Sequence, residues 1–170
     1  MSVKKITVIA LISCLAYLSA IFKVPISFLS YEIKDVIITI GSIYLGGLYG
    51  VIICFVVAIL EMITISDSGI IGFFMNFLAS VLYILPICYL YNKGKGIIKG
   101  IILGTIFMTL GMFVFNIFIT PIYLNVELKE TIKLLFTLIT PFNIIKGALN
   151  GFLIFIIYKP LLKAIKKAGI

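Results

Sequence analysis

The 170-residue chain is 63% hydrophobic, with a mean hydropathy of +1.31, whereas soluble domains are roughly half apolar. A core this small cannot bury so much apolar surface, so the composition excludes a soluble fold and indicates one integral membrane domain over residues 1–170. The net charge of +8 comes from lysine alone, and the lysines flank apolar runs, so membrane topology explains them better than nucleic-acid binding does. The chain has no His, Arg or Trp, which excludes histidine catalysis and an arginine finger.

Six apolar runs predict an all-α membrane protein with six transmembrane helices. In chain order the predicted spans cover residues 3–22, 35–47, 48–65, 70–91, 97–123 and 138–159. The first span follows two lysines, and we expect it to be a retained helix and not a signal peptide. The second is short, so it should tilt or pack inside the bundle. The polar stretch 125–133 should lie at the membrane interface.

The distribution of charge predicts the orientation. The N-terminus, the loop before the fifth span and the tail after the sixth hold nine lysines and no acid. The other connections and their edges contain five acids, namely Glu32, Asp35, Asp67, Glu127 and Glu130. By the positive-inside rule the first set is cytoplasmic, so both ends of the chain lie inside and the number of crossings is even.

Small residues recur at a spacing that lets helices approach closely. In the last two spans we interpret the glycine repeats, at positions 96, 100, 104, 147 and 151, as packing within the bundle. In the first span the small residues predict a docking face for a partner membrane subunit, made of Ala10, Cys14, Ala16 and Ala20. The three cysteines all lie in apolar runs, which indicates packing and neither disulfides nor metal ligands.

Polar side chains interrupt the apolar spans almost only in the predicted outer half of the membrane. They are Lys34, Asp35, Glu61, Asn76, Asn116, Asn143 and Lys146. Polar groups at this depth are costly and need a reason. Their asymmetric depth predicts a cavity that opens to the outside.

The sixth span carries Asn143, Lys146 and Asn150 on one helical face, which should point inward. Lys146 is too deep to reach the surface and needs a charge partner, either Asp35 or Glu61. One interpretation is a buried ion pair that fixes helix register. The other, which we favour, is a ligand site of amide and ammonium donors.

The residue types limit the ligand. There is no acidic cluster for a metal and no cluster of cations for a phosphate-rich molecule. Neutral amides, a single ammonium and nearby aromatic rings suit a neutral or weakly anionic heteroaromatic compound, such as a flavin ring. No Walker A motif is present, so an active transporter would need another subunit to hydrolyse ATP.

Four short motifs carry a resemblance to a known family. They are the stretch 141–147 (PFNIIKG), Asn116 followed by 121–123 (PIY), 76–79 (NFLA) and 34–36 (KDV). With them the chain resembles the substrate-binding S components of energy-coupling factor (ECF) vitamin transporters, specifically the riboflavin-specific group. The resemblance implies a multi-pass protein of the bacterial cell membrane that is not an enzyme and needs no cofactor, riboflavin being its cargo.

The resemblance also implies roles for particular residues. Asn116, Asn143 and Lys146 would hydrogen-bond the ligand, with Asn76 beside them. Ser30 and Tyr31 of the first loop would line it. The first helix would dock on a scaffold membrane subunit, and two ATPase subunits would drive release of the vitamin inside.

Two alternatives stay open. An S component for another vitamin, such as pantothenate, folate or a pyrimidine precursor, would share the architecture. A structural membrane subunit of cell-wall machinery would have a similar size and number of spans, but no ligand. An intramembrane enzyme is disfavoured, because the sequence offers no plausible pair of nucleophile and base.

Overall fold

The computed structural model describes residues 3–66 and 68–167, with side chains described up to residue 163. Asp67, one of the predicted outer acids, lies outside the described residues. The helices are α1 (Val3–Ile21), α2 (Lys34–Leu45), α3 (Gly47–Thr64), α4 (Gly69–Asn92), α5 (Ile97–Leu124), α6 (Leu128–Leu134) and α7 (Thr140–Lys167).

Five helical segments are long and apolar enough to cross a membrane, and the last of them joins α6 to α7. The remaining predicted span, the second in chain order, corresponds to α2, which has 12 residues and is roughly 18 Å long, well short of the roughly 30 Å hydrocarbon core. Most of its residues are buried, among them polar ones. The expected six-helix membrane bundle is therefore confirmed, with α2 packed inside it.

The connection between α1 and α2 is more ordered than the sequence indicated. It contains an antiparallel hairpin of β1 (Val24–Ile26) and β2 (Leu29–Tyr31), in which Pro25 pairs with Ser30. A two-residue turn joins the strands, and its first residue, Ser27, has a positive φ of 59°, as tight hairpin turns require. The sequence predicted only a loop here, because three-residue strands are too short to show a periodic pattern; the all-α membrane architecture is unaffected.

The predicted interfacial stretch and the sixth span form one continuous rod. A π-helical segment, Leu135–Ile139, connects α6 to α7. A π turn holds one residue more than an α turn would allow, so it shifts the helical phase of the residues on its C-terminal side. Asn143, Lys146 and Asn150 are all buried along α7, as expected for residues on one inward face.

Glycines of α5 allow that helix to approach the backbone of α4 closely. A Cβ atom built at Gly104 would lie 2.4 Å from the carbonyl oxygen of Tyr83, and one at Gly100 would lie 2.9 Å from the Cα of Ile87. These positions tolerate no side chain unless the α4 backbone moves. The glycine repeat of α5 therefore serves packing within the bundle.

The small residues of α1 do not form the single docking face that the sequence suggested. Ala16 and Ala20 are fully buried inside the bundle, whereas Ala10 and Cys14 are exposed on the outer side of the helix. The reason is geometric: each pair is spaced four residues apart, but Ala10 and Ala16 lie six apart and so point in very different directions. Of these four small residues, Ala10 and Cys14 are the ones exposed enough to face a partner.

The Gly104 contact gives a test of the packing. We expect Gly104→Ala to lower the free energy of unfolding by about 1–3 kcal/mol, because the new methyl group meets backbone and not a movable side chain. Chemical unfolding of the detergent-solubilised protein measures this change. Gly47→Ala is the matched control, since its Cβ would meet only ordinary contacts of 3.4 Å or more. Equal stability of the two variants would contradict this account.

Candidate functional site

A cavity of about 330 Å³ opens at the end of the bundle that carries the hairpin. The hairpin covers one side of it, and α3, α4, α5 and α7 form the walls. Its volume lies at the lower end of the range for small-molecule sites. The charged and amide side chains that line it are Lys23, Glu32, Glu61, Asn76, Asn116, Asn143 and Lys146.

Two buried asparagines present fixed amides to this cavity. The Nδ2 atom of Asn143 donates to the carbonyl oxygen of Ile139 at 2.8 Å, and that of Asn116 donates to Met112 at 2.8 Å. Thr120 also donates to the Oδ1 atom of Asn116 at 2.9 Å. Each nitrogen uses one of its two protons on its own helix, so Asn143 can offer a ligand its second N–H as a donor and its carbonyl oxygen as an acceptor for an N–H.

One ion cluster lies beside the cavity, centred on Lys34 at the start of α2. Its ammonium contacts Glu32 Oε2 at 2.6 Å and Glu61 Oε1 at 2.6 Å. Ser30 donates to Glu32 at 3.1 Å, and the Asn76 amide donates to Glu61 at 3.3 Å. All three charged side chains are less than 5% exposed. The cluster therefore joins the hairpin, α2, α3 and α4.

A second ion pair joins α2 to α7. Lys146 Nζ lies 3.3 Å from Asp35 Oδ2, and the Ser80 hydroxyl donates to Asp35 Oδ1 at 2.5 Å. Of the two partners considered for Lys146, the structure thus places Asp35 against it and pairs Glu61 with Lys34 instead. Lys146 still lines the cavity, and Asp35 balances its charge.

The side chains of Ser30 and Tyr31, the two hairpin residues expected at the ligand, point in different directions. Ser30 lines the cavity. Tyr31 is absent from the lining, and its hydroxyl donates to Asn150 Oδ1 at 3.0 Å. Burial, and less strongly the nearby Asp35 carboxylate, raises the pKa of Tyr31, which keeps the hydroxyl protonated as a donor. Tyr31 anchors the hairpin to α7.

Several lining residues escaped the sequence reasoning. They include Lys23, whose ammonium donates to the Ile65 carbonyl oxygen at 2.9 Å, and the apolar Met75 and Met112. Nothing distinguishes these methionines from lipid-facing ones in the sequence. Lys23 had a usable signal, because it is the only lysine at the outer end of α1.

Comparison with known proteins decides the family. Residues 4–158 match the family described as ECF transporter, substrate-specific component. The chain belongs to this family. It is therefore a transporter subunit and not an enzyme, and it is a multi-pass protein of the bacterial membrane.

Individual relatives agree with this assignment. The S component is 30% identical to riboflavin transporter FmnP of Bacillus subtilis over 192 aligned positions, covering all of both chains. It is 29% identical to riboflavin transporter RibU of Streptococcus thermophilus, covering 93% of this chain and 82% of that one. A solved S component of a bacterial ECF transporter superposes with a TM-score of 0.82 at 27% identity, covering 96% of this chain and 98% of the other.

The Asp35–Lys146 pair predicts a non-additive effect on stability. We expect Asp35→Asn alone to cost about 3–5 kcal/mol, because it leaves a buried ammonium without its counter-charge. The double variant Asp35→Asn/Lys146→Met should recover much of that loss, since no buried charge is then unpaired. Unfolding of both variants in detergent measures the difference. A double variant as unstable as the sum of its single variants would show that the two groups do not interact.

Proposed function

We propose that this S component captures riboflavin from outside the cell. The observation that carries the proposal is the charge balance of the cavity. Lys146 is already paired with Asp35, and the charged lining residues are two lysines and two glutamates. A site with matched charges suits a neutral ligand, because an added anion would meet no surplus of positive charge.

The polar groups suit the edge of a flavin ring. Its pyrimidine edge alternates carbonyl acceptors with one N–H donor. The carbonyl oxygen of Asn143 would accept from that N–H, and the remaining protons of the Lys146 ammonium would reach a ring carbonyl. Met75, Met112 and Phe142 lie in the same lining and would pack on the apolar faces of the ring. Asn116, Asn76 and Ser30 would provide the other polar contacts.

The relatives support the same ligand. FmnP and RibU are both named riboflavin transporters, and both align over nearly the whole chain. Pantothenate and folate carry carboxylates, which the balanced cavity disfavours. A structural cell-wall subunit would have no use for a lined cavity of this size.

We further propose that import depends on partner chains. The S component would dock on a scaffold membrane subunit, with the exposed Ala10 and Cys14 of α1 at the contact, and two ATPase subunits would supply energy. The whole chain would form one substrate-binding domain. Release inside the cell would then require these partners, because the sequence contains no Walker A motif.

Titration with riboflavin tests the ligand and one of its contacts. We expect the purified protein to quench flavin fluorescence as it binds, and Asn143→Ala to weaken binding about tenfold or more through the loss of one buried hydrogen bond. Asn92→Ala, the same change at an exposed position of α4 far from the cavity, is the control. A wild-type protein without affinity for riboflavin would overturn the proposal, and unchanged affinity in Asn143→Ala would remove that residue from the site.

Competition tests the charge argument separately. We expect pantothenate and folate to leave bound riboflavin in place even in large excess, because their carboxylates find no unbalanced cation in the lining. The measurement is the recovery of riboflavin fluorescence as competitor is added. A non-fluorescent riboflavin analogue, which should displace the bound vitamin, is the positive control. Displacement by either anion at a concentration similar to that of riboflavin would contradict the neutral-ligand assignment.

A further inference from the structure

A second cleft lies at the opposite end of the bundle, between the ends of α4 and α7. Its volume is about 300 Å³, and it is lined by Tyr91, Tyr158, Lys159, Leu162 and Lys163. The lysines expected on the cytoplasmic side lie at this end. The cleft is therefore placed where the membrane meets the cytoplasm, and it is separate from the outer cavity.

The floor of the cleft is ordered by aromatic contacts. The rings of Tyr91 and Tyr158 meet edge to face, with centroids 6.1 Å apart at 85°. Lys159 Nζ lies 5.9 Å from the centroid of the Tyr158 ring. Lys159 and Lys163 are exposed and four residues apart, so they extend from the same face of α7. Two ammonium groups thus stand beside two phenol rings.

This chain supplies no described anion for these lysines. Glu32, Asp35 and Glu61 are buried around the outer cavity, and the other described acids, Glu127 and Glu130, lie at the start of α6 near the same outer end. Among the residues that the structure describes, no carboxylate belongs to the cytoplasmic end. Within the described part of the chain, Lys159 and Lys163 thus remain available to an anion from outside the protein.

We propose that the cleft binds the headgroup of an anionic phospholipid. The phosphodiester would accept hydrogen bonds from Lys159 and Lys163, and the tyrosine hydroxyls would donate to it or to the headgroup. The neighbouring surface favours a lipid over a soluble anion. Phe155 and Ile156 are 49% and 52% exposed, and they lie about one turn before Lys159 on α7, further into the membrane. Acyl chains would cover these residues while the headgroup fills the cleft.

Native mass spectrometry of the full chain in detergent tests this site, with phosphatidylglycerol and phosphatidylcholine as probes. We expect the wild type to retain one phosphatidylglycerol in preference to phosphatidylcholine. The variant Lys159→Gln/Lys163→Gln should weaken that binding about tenfold or more. The control is Lys95→Gln/Lys99→Gln, which removes the same charge from the same end of the protein but outside the cleft. Far-ultraviolet circular dichroism checks that both variants stay folded.

The outcomes separate the possible occupants. Selective loss in the cleft variant supports the proposal. Equal loss in both variants would mean diffuse attraction to basic residues and would overturn it. Displacement of the lipid by soluble glycerol phosphate, at a concentration similar to that of the lipid, would also overturn the proposal. The site would then bind a free phosphate as well as it binds a lipid headgroup. If the wild type shows no preference for phosphatidylglycerol, the lipid assignment is wrong, and a protein partner becomes the alternative occupant of the cleft.

Discussion

Buried charge pairs around α2 are the constraint on which the rest of the structure depends. An unpaired charge at this depth costs several kcal/mol, so Lys34 and Asp35 are tolerable only where carboxylate and ammonium partners meet them. Those partners come from α3 and α7, with hydrogen bonds from α4. A helix too short to span the membrane is thereby fixed at one height, and the cavity lies beside the groups that fix it.

The pattern of apolar residues was enough to predict the long helices. The predicted third and fifth spans end within one residue of α3 and α5, because polar turns bound continuous apolar runs. Two features had no such signal. The hairpin strands have three residues each, and the π segment Leu135–Ile139 has the composition of an ordinary apolar helix. Both depend on tertiary packing that a local pattern does not record.

The depth of polar residues predicted which of them would meet, but not how they pair. Asn76, Asn116, Asn143 and Lys146 do line one cavity. The sequence left both Asp35 and Glu61 as possible partners of Lys146, and the packing of α2 decides between them. The hairpin explains the remaining difference. Neighbouring residues of a strand point to opposite faces, so Ser30 and Tyr31 cannot both line the cavity, and the register of the strand turns Ser30 toward it.

The two ends of the bundle balance charge in opposite ways, and this difference agrees with the ligand proposed for each end. At the outer end every described buried charge has a partner within the chain. A neutral ligand can therefore enter and leave without leaving a buried charge unpaired. At the inner end Lys159 and Lys163 stand beside an aromatic floor, with no described acid of this chain near them. A charge that no described residue neutralises keeps its attraction for anions at the membrane surface. The balanced outer cavity thus suits the exchange of a neutral cargo, whereas the lysines of the inner cleft stay available to the anionic headgroup proposed above.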